Sequence, residues 1–293
     1  MPKGVYKRQS NVNLRNRLEL IKKLQNLPVS KKISITMDVL EQAKSLQPLA
    51  LLYSGGKDST VLLDLIKKSN LNYCVLHNNT TMADPATLDF VRKMCNGLDY
   101  TETTPEETPF EMWHRTGYYP ILGKRSFTKF KKADARLKLS PVQCCYQLKE
   151  LYSNRVFKER GIKGVIWGNR ASESNRRKLT FADNGFIFKP KKYSWFQIYP
   201  IQHWNETDVL YYLNKNIPEY PISQQIESGC KYCATDFAFY PNNLSRLYIK
   251  SPNEWTTLML QGFGEQIAIL NNIDDWKNKL KTNPELFLRL RKK

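Results

Sequence analysis

The sequence predicts an α/β protein with an open, mostly parallel sheet and helices on both of its faces. Residues 49–53 are a short apolar run, and a glycine turn over residues 54–58 separates this run from a helical pattern. Further short apolar runs at residues 73–77 and 164–168 follow other helical patterns. Alternation of this kind is typical of parallel sheets. The 293 residues also suffice for a large buried core.

Each element follows from a local pattern. Leu14, Leu18, Ile21 and Leu24 recur at helical spacing, and Pro28 ends that helix. Asn205 or Thr207 is expected to cap a later helix. The expected elements are helices over 11–26 and 30–46, a strand over 49–53, a helix from 59, a strand over 73–77, a helix over 86–97, strands over 99–103 and 164–168, a loop over 169–178, a hairpin or extended basic segment over 185–199, a helix from 205, and a mostly helical region over 242–293.

These patterns divide the chain into three segments. Residues 1–47 are predicted to be a basic helical N-terminal arm, residues 48–240 the domain with the sheet and the glycine turn, and residues 241–293 a helical C-terminal extension. The two N-terminal helices are expected either to dock a partner or simply to cover the sheet.

The glycine turn has the composition of a phosphate-binding loop. Gly55 and Gly56 allow a sharp turn and a close backbone approach to a ligand, and a helix N-terminus attracts anions. Lys57 supplies a positive charge, and Ser54, Ser59 and Thr60 supply hydroxyl donors. The spacing fits neither the Walker loop nor the three-glycine dinucleotide turn.

Asp58 carries the opposite charge to the one expected at such a site. A carboxylate beside phosphates is repelled unless it holds a cation, so Asp58 predicts Mg²⁺ between itself and the phosphates. The sequence therefore predicts that Lys57 and Asp58 are the catalytic residues.

Charge and hydrophobicity indicate the partners and the compartment. The net charge is +19, from 46 basic and 27 acidic residues, which favours a nucleic acid such as DNA or tRNA. Aromatic and basic residues also interleave over residues 105–143, as in a nucleic-acid surface or in a helix with an aromatic buried face. No apolar run approaches the roughly 20 residues that cross a bilayer, and we expect a cytoplasmic protein without a membrane partner.

Four cysteines form a pattern typical of a metal centre. Cys144 and Cys145 are adjacent, and Cys230 and Cys233 form a Cys-x-x-Cys. Four thiolates suit zinc or an iron–sulfur cluster. Adjacent cysteines are unusual zinc ligands, which favours a [4Fe–4S] cluster and leaves zinc as the alternative. Cys74 and Cys95 are expected in the core.

Two sets of residues carry a family resemblance. Ser54-Gly55-Gly56-Lys57-Asp58-Ser59 resembles the pyrophosphate (PP) loop of the adenine-nucleotide α-hydrolase superfamily, whose fold is Rossmann-like. The cysteine pattern and the segments 168–177 and 200–213 resemble the phosphoadenosine phosphosulfate (PAPS) reductase family, especially its iron–sulfur enzymes and the related DNA phosphorothioation proteins. The resemblance spans residues 48–240 and implies that this segment is a PP-loop nucleotide-binding domain of the PAPS reductase type. It implies that Arg170 lies beside the nucleotide, and we add Arg176 as a further nucleotide contact.

The resemblance leads to three functional hypotheses. The first is an ATP pyrophosphatase that adenylates its acceptor and inserts sulfur into a nucleic acid, with a [4Fe–4S] cluster and a sulfur donor protein as partners. The second is a reductase of adenosine or phosphoadenosine phosphosulfate (APS or PAPS) that uses an external thiol. The third is an inactive nucleic-acid-binding subunit. Reductases of this family carry a catalytic cysteine in a tail motif, and no cysteine follows Cys233, which argues against the second.

Overall fold

The computed structural model describes residues 14–116, 141–221, 230–233, 237 and 242–288. In chain order its helices and strands are α1 (Leu14–Gln25), α2 (Val29–Ala43), β1 (Leu49–Leu52), α3 (Lys57–Lys67), β2 (Tyr73–Asn78), α4 (Pro85–Met94), β3 (Tyr100–Thr103), α5 (Pro109–Thr116), α6 (Pro141–Cys145), a π-helical turn (Tyr146–Glu150), α7 (Leu151–Glu159), β4 (Gly164–Ile166), α8 (Asn175–Asn184), β5 (Ile187–Phe188), β6 (Phe196–Ile198), α9 (Glu206–Asn216), α10 (Asn242–Lys250), α11 (Pro252–Leu258), a π-helical turn (Met259–Phe263), α12 (Gly264–Asn271) and α13 (Trp276–Thr282). Short 3₁₀ turns lie at Lys44–Leu46, Ala171–Glu173 and Pro284–Phe287.

The six strands form one sheet in the order β3-β2-β1-β4-β6-β5. All neighbouring strands are parallel except β5 and β6, which are antiparallel. In register, Leu49 of β1 lies between Tyr73 and Gly164. The predicted fold class is therefore confirmed. The predicted hairpin at residues 185–199 is also present, and its second strand joins the parallel sheet through β4.

The strand order reverses at β1. The chain runs from β1 outward through β2 to β3 and then returns to place β4 on the other side of β1. The loops after β1 and β4 therefore both begin at the carboxyl ends of neighbouring strands, and from there the chain continues toward opposite sides of the sheet. In open α/β sheets this switch point is where ligands bind.

The chain forms two compact units. The first contains the described residues of 14–79, 83–103 and 153–221, and the second those of 80–82, 104–152 and 230–288. All six strands lie in the first unit, whereas α5, α6 and α10–α13 lie in the second. These units do not coincide with the three predicted segments, since the N-terminal helices and the sheet share one unit.

The N-terminal helices are part of the core of the first unit. Val39, Leu40 and Ala43 of α2 are buried among the residues of β1 and α3. Ile21 of α1 belongs to a smaller cluster with Phe181 of α8. The structure thus shows α2 covering the sheet, which was one of the two expected arrangements, whereas α1 packs on α8.

One expectation from the sequence is wrong, and another concerns residues that the structure does not describe. The loop predicted over residues 169–178 is wrong in its second half, because α8 begins at Asn175. The Ser174 hydroxyl accepts a hydrogen bond from the Arg177 N–H (3.2 Å) and caps this helix. Most of the aromatic and basic segment, residues 117–140, lies outside the described residues.

None of the described helices has both the length and the apolar character that a membrane span requires.

A buried ion pair fastens α2 to α9. The Lys32 ammonium is 1% exposed and lies 2.5 Å from the Asp208 carboxylate, and it also donates to the Gln25 carbonyl (2.7 Å). Asp208 accepts the N–H of Asn205 (2.6 Å), which closes the N-terminus of α9. Every charge in this group therefore has a partner, as burial requires.

We expect Lys32→Met to lower the free energy of unfolding by about 3–5 kcal/mol, because it leaves the Asp208 carboxylate buried without its counter-charge. The measurement is urea denaturation followed by circular dichroism. The double variant Lys32→Met/Asp208→Asn should recover part of the loss, since its buried charge is gone. Equal losses in the single and double variants would contradict the proposed cause.

Candidate functional site

The predicted phosphate-binding loop connects β1 to α3. Gly55 has a φ of +78°, a conformation that glycine adopts without strain. A Cβ at Gly55 would lie 2.6 Å from a methyl carbon of Val91, so the position also lacks room for a side chain. Gly56 precedes α3 directly. The first N–H groups of α3 have no partner within the helix and can serve an anion.

The hydroxyl groups of the loop are used mainly within it. Ser59 and Thr60 are buried and donate to the Gly56 carbonyl (2.9 and 3.0 Å). Tyr53 shares a hydrogen bond with the Thr60 hydroxyl (3.2 Å). Ser54 is exposed, and its hydroxyl accepts the Gly56 N–H (3.3 Å). Ser54 is therefore the hydroxyl that solvent reaches.

The loop after β4 lies against the loop after β1. A Cβ at Gly168 would lie 3.0 Å from the backbone nitrogen of Ser59. Two residues later, the buried Arg170 places its Nε 2.5 Å from Oδ1 of Asp58. Arg170 is fixed by Glu173, which accepts its backbone N–H (2.5 Å), and by Ser172, which accepts from Nη1 (3.0 Å). The structure thus brings Arg170 to the loop.

Asp58 is paired with protein cations in this structure. Besides Arg170, the Lys57 ammonium lies 3.9 Å from Oδ2. Burial raises the pKa of the Asp58 carboxyl above its usual value, and the Arg170 and Lys57 charges offset only part of that rise. An Mg²⁺ ion at Asp58 stays a prediction. The described part of the chain holds no group of three or more His, Cys, Asp or Glu side chains suited to a metal ion.

Arg176 is the one predicted nucleotide contact that stands apart. It lies in the first turn of α8, is exposed, and forms no ion pair with the described residues. Its neighbour Arg177 pairs with Glu173. The contact of Arg176 with a nucleotide remains a prediction.

Sequence reasoning assigned no role to Glu206, which faces both cations of the site. Its two carboxylate oxygens lie 3.6 Å from the Lys57 ammonium and 3.9 Å from Nη2 of Arg170. Glu206 occupies the first turn of α9, where the helix dipole favours an acidic residue. The sequence alone shows an acidic residue at the start of this helix, but the contacts of Glu206 with Lys57 and Arg170 depend on tertiary structure. The site as described thus holds two cations and two carboxylates.

The four patterned cysteines all belong to the second unit, and all are free thiols. Cys144 and Cys145 end α6, and the π-helical turn Tyr146–Glu150 follows them. Such turns occur frequently at functional sites. Cys230 and Cys233 form a tight turn in which the Cys233 N–H donates to the Cys230 carbonyl (3.0 Å).

Electrostatic interactions join the two cysteine pairs. Burial raises the pKa of Cys144 to about 12, with contributions from Cys145, Cys230 and Cys233. The pKa of Lys149 is raised above its usual value. Burial lowers this pKa, but the interactions with the same four cysteines raise it by more. The four thiols and Lys149 therefore lie close enough to influence one another's ionisation.

Two side chains also contact the cysteine sulfurs. The Trp113 indole N–H donates to Cys144 (3.3 Å), and the Thr80 hydroxyl hydrogen-bonds with Cys230 (3.2 Å). Cys74 and Cys95, by contrast, are 3% and 2% exposed and lie in the core, as expected.

We expect Glu206→Gln to strengthen the binding of inorganic pyrophosphate about two- to five-fold, because it removes a carboxylate that competes for Lys57 and Arg170. The magnitude follows from the roughly 0.2–1 kcal/mol of an exposed charge pair. Isothermal titration calorimetry measures it. Glu159→Gln, at the exposed end of α7, makes the same change in net charge and should leave binding unchanged. Unchanged or weaker binding by Glu206→Gln would contradict this role.

Comparison with known proteins places these sites in a family. The chain is 24% identical over 185 residues to the adenosine 5′-phosphosulfate reductase of Lysinibacillus sphaericus, covering 61% of this chain and 70% of that protein. It is 27% identical over 272 residues to an uncharacterized protein of Methanocaldococcus jannaschii, covering 90% of this chain and 59% of that protein.

Among solved structures, the phosphoadenylyl-sulfate reductase of Candida auris, crystallised as a phosphate complex, matches with a TM-score of 0.44 at 20% identity. This match covers 70% of this chain and 88% of that one. A family model, the phosphoadenosine phosphosulfate reductase domain, matches residues 48–226. Because this match covers more than half of the chain, the protein belongs to the phosphoadenosine phosphosulfate reductase domain family.

Proposed function

We propose that this protein is an enzyme that binds ATP at the glycine loop and transfers its adenylyl group, as a step in placing sulfur on a nucleic acid. The observation that carries the proposal is the meeting of Lys57 and Arg170 at the switch point of the sheet, beside the N-terminus of α3. Two cations and free helix N–H groups suit a phosphate tail. Family membership supports a nucleotide-using enzyme in general.

The chemistry assigned to the site is a substitution at phosphorus. An acceptor oxygen forms a bond to the α-phosphorus while the bond to the bridging oxygen of the β-phosphate breaks, and pyrophosphate leaves with that electron pair. The proton of the acceptor passes to solvent. The α3 N–H groups, Lys57 and Arg170 stabilise the charge that grows on pyrophosphate, and preorganised charges of this kind are usually the largest catalytic contribution.

The second step releases AMP. A sulfur nucleophile attacks the activated carbon of the acceptor, the carbon–oxygen bond breaks, and AMP departs with its electrons. Mg²⁺, which Asp58 would help to hold with the phosphates, would screen the negative charge of ATP. In that complex Arg170 would exchange its contact with Asp58 for contacts with the nucleotide.

We further propose that Cys144, Cys145, Cys230 and Cys233 hold a [4Fe–4S] cluster. The four thiols lie close enough to influence one another's ionisation, and adjacent cysteines such as Cys144 and Cys145 are unusual ligands for a single zinc ion. A cubane binds each thiolate through a different iron and so holds its ligands further apart than one zinc ion does. The cluster would supply sulfur chemistry or electron storage when bound.

A second candidate function is the reduction of a sulfonucleotide by an external thiol. The specific observation that favours it is the similarity to a protein named adenosine 5′-phosphosulfate reductase. A sulfonucleotide carries a phosphate, which the same loop can bind. Thiol-dependent release of sulfite from APS or PAPS, without pyrophosphate release from ATP, would establish this function in place of the first.

We expect pyrophosphate release from ATP in the presence of tRNA or DNA, and a roughly 10²–10³-fold lower rate for Lys57→Ala, because that variant lacks one charge that stabilises the leaving group. An enzyme-coupled pyrophosphate assay measures the rate. Lys31→Ala, an exposed lysine of α2, is the matched control and should retain full activity. Absence of pyrophosphate release with every acceptor would overturn the proposal, and ATP-independent nucleic-acid binding would then indicate a binding subunit.

We expect protein purified without oxygen to contain about four iron atoms per chain, as a [4Fe–4S] cluster requires, and to absorb visible light. Cys230→Ser should lose most of the iron, whereas Cys95→Ser, a buried thiol outside the group, should keep it. Metal analysis and the absorption spectrum provide the readout. Zinc in place of iron in the unmodified protein would overturn the cluster assignment.

A further inference from the structure

We propose that the β5–β6 hairpin carries a docking surface for the phosphate backbone of a nucleic acid. This surface lies at the amino ends of the parallel strands, whereas the glycine loop lies at their carboxyl ends. We call this surface the basic ridge and define it by Lys163, Lys189, Lys191 and Lys192. The proposal goes beyond the proposed function, because it assigns nucleic-acid binding to residues outside the nucleotide site.

The topology fixes the position of the basic ridge. Phe196 begins β6 and lies beside Gly164, which begins the parallel strand β4. The hairpin turn and Lys163 therefore lie at the amino ends of these strands, whereas the glycine loop follows the carboxyl end of β1. With roughly 3.3 Å per residue, the three residues of β4 separate the two edges by about 10 Å.

Contacts with aromatic rings position two lysines of the ridge. The Lys189 ammonium lies 5.6 Å from the centre of the Phe196 ring, and the Phe196 N–H donates to the Lys163 carbonyl (2.8 Å). The Lys192 ammonium lies 5.0 Å from the Tyr193 ring. Tyr193 stacks on Trp195 (4.8 Å between ring centres), which anchors the turn.

Trp195 fastens the hairpin to the body of the first unit, because its ring packs on the buried Phe157 of α7 (5.1 Å). The hairpin that carries Lys189, Lys191 and Lys192 therefore has a packed aromatic base. Ordered lysines lose less side-chain entropy when they bind a phosphate than free ones do.

Three of the four ridge lysines lack an acidic partner among the described residues. Lys163, Lys189 and Lys191 are exposed and form no ion pair with any described residue. The sequence contains no Asp or Glu between Asp183 and Glu206. Lysines at helix C-termini are explained by the helix dipole, but the hairpin lysines belong to no helix. Exposed positive charge at Lys163, Lys189 and Lys191, in a chain of net charge +19, fits a polyanion.

The test compares the full chain with the triple variant Lys189→Gln/Lys191→Gln/Lys192→Gln. Fluorescence anisotropy measures binding to labelled single-stranded DNA, single-stranded RNA and duplex DNA between about 50 and 200 mM salt. We expect roughly tenfold weaker binding, and a slope of log K against log salt that is smaller by about 2, because each lost phosphate contact contributes roughly 0.7–0.9.

Two further variants separate the ridge from overall charge. Lys277→Gln/Lys279→Gln/Lys281→Gln, on α13 of the second unit, makes the same change in net charge and should bind normally. Lys189→Arg/Lys191→Arg/Lys192→Arg keeps the charge and should also bind normally. Equal losses in both glutamine variants, or no loss in either, would overturn the proposal. Pyrophosphate binding to the unaltered glycine loop reports on the proposed function separately.

Discussion

The close approach of two backbone segments determines the candidate site. Gly168, two residues after β4, lies so close to the first turn of α3 that an added Cβ would be 3.0 Å from the backbone nitrogen of Ser59. This contact requires β1 and β4 to be neighbours, which is where the strand order reverses. Because the contact fixes the path of the chain after β4, it also fixes the place of Arg170 beside Asp58. The geometry of the charged groups thus follows from packing of the backbone.

The charges of this site balance one another in the absence of a ligand. Lys57 and Arg170 lie between Asp58 and Glu206. The arrangement avoids burying an uncompensated charge, which would be costly. The raised pKa of Asp58 shows that burial still disfavours its charged form. A bound phosphate would therefore replace one set of partners with another, and Glu206, as the exposed member, is the partner most easily released.

The two units carry different kinds of functional groups. The first uses main-chain N–H groups and fixed cations, which suit oxyanions. The second groups thiols next to a π-helical turn, and thiolates are soft ligands for iron or zinc. Each arrangement lies beside a local break in regular structure. Gly55 supplies a left-handed turn in the first unit, and the π turn follows the adjacent cysteines in the second.

The sequence by itself determined the fold class, the strands β1, β2 and β4, the helix that follows the glycine turn, and the family, because these depend on local periodicity and on short motifs. It also indicated that Cys74 and Cys95 are core residues. Tertiary structure decided what depends on distant partners: the burial of Lys32 against Asp208, the pairing of Arg170 with Asp58, and the contacts of Glu206. The reason is physical, since a residue's pattern reports its own helix or strand, whereas a charge pair depends on how separate elements pack together.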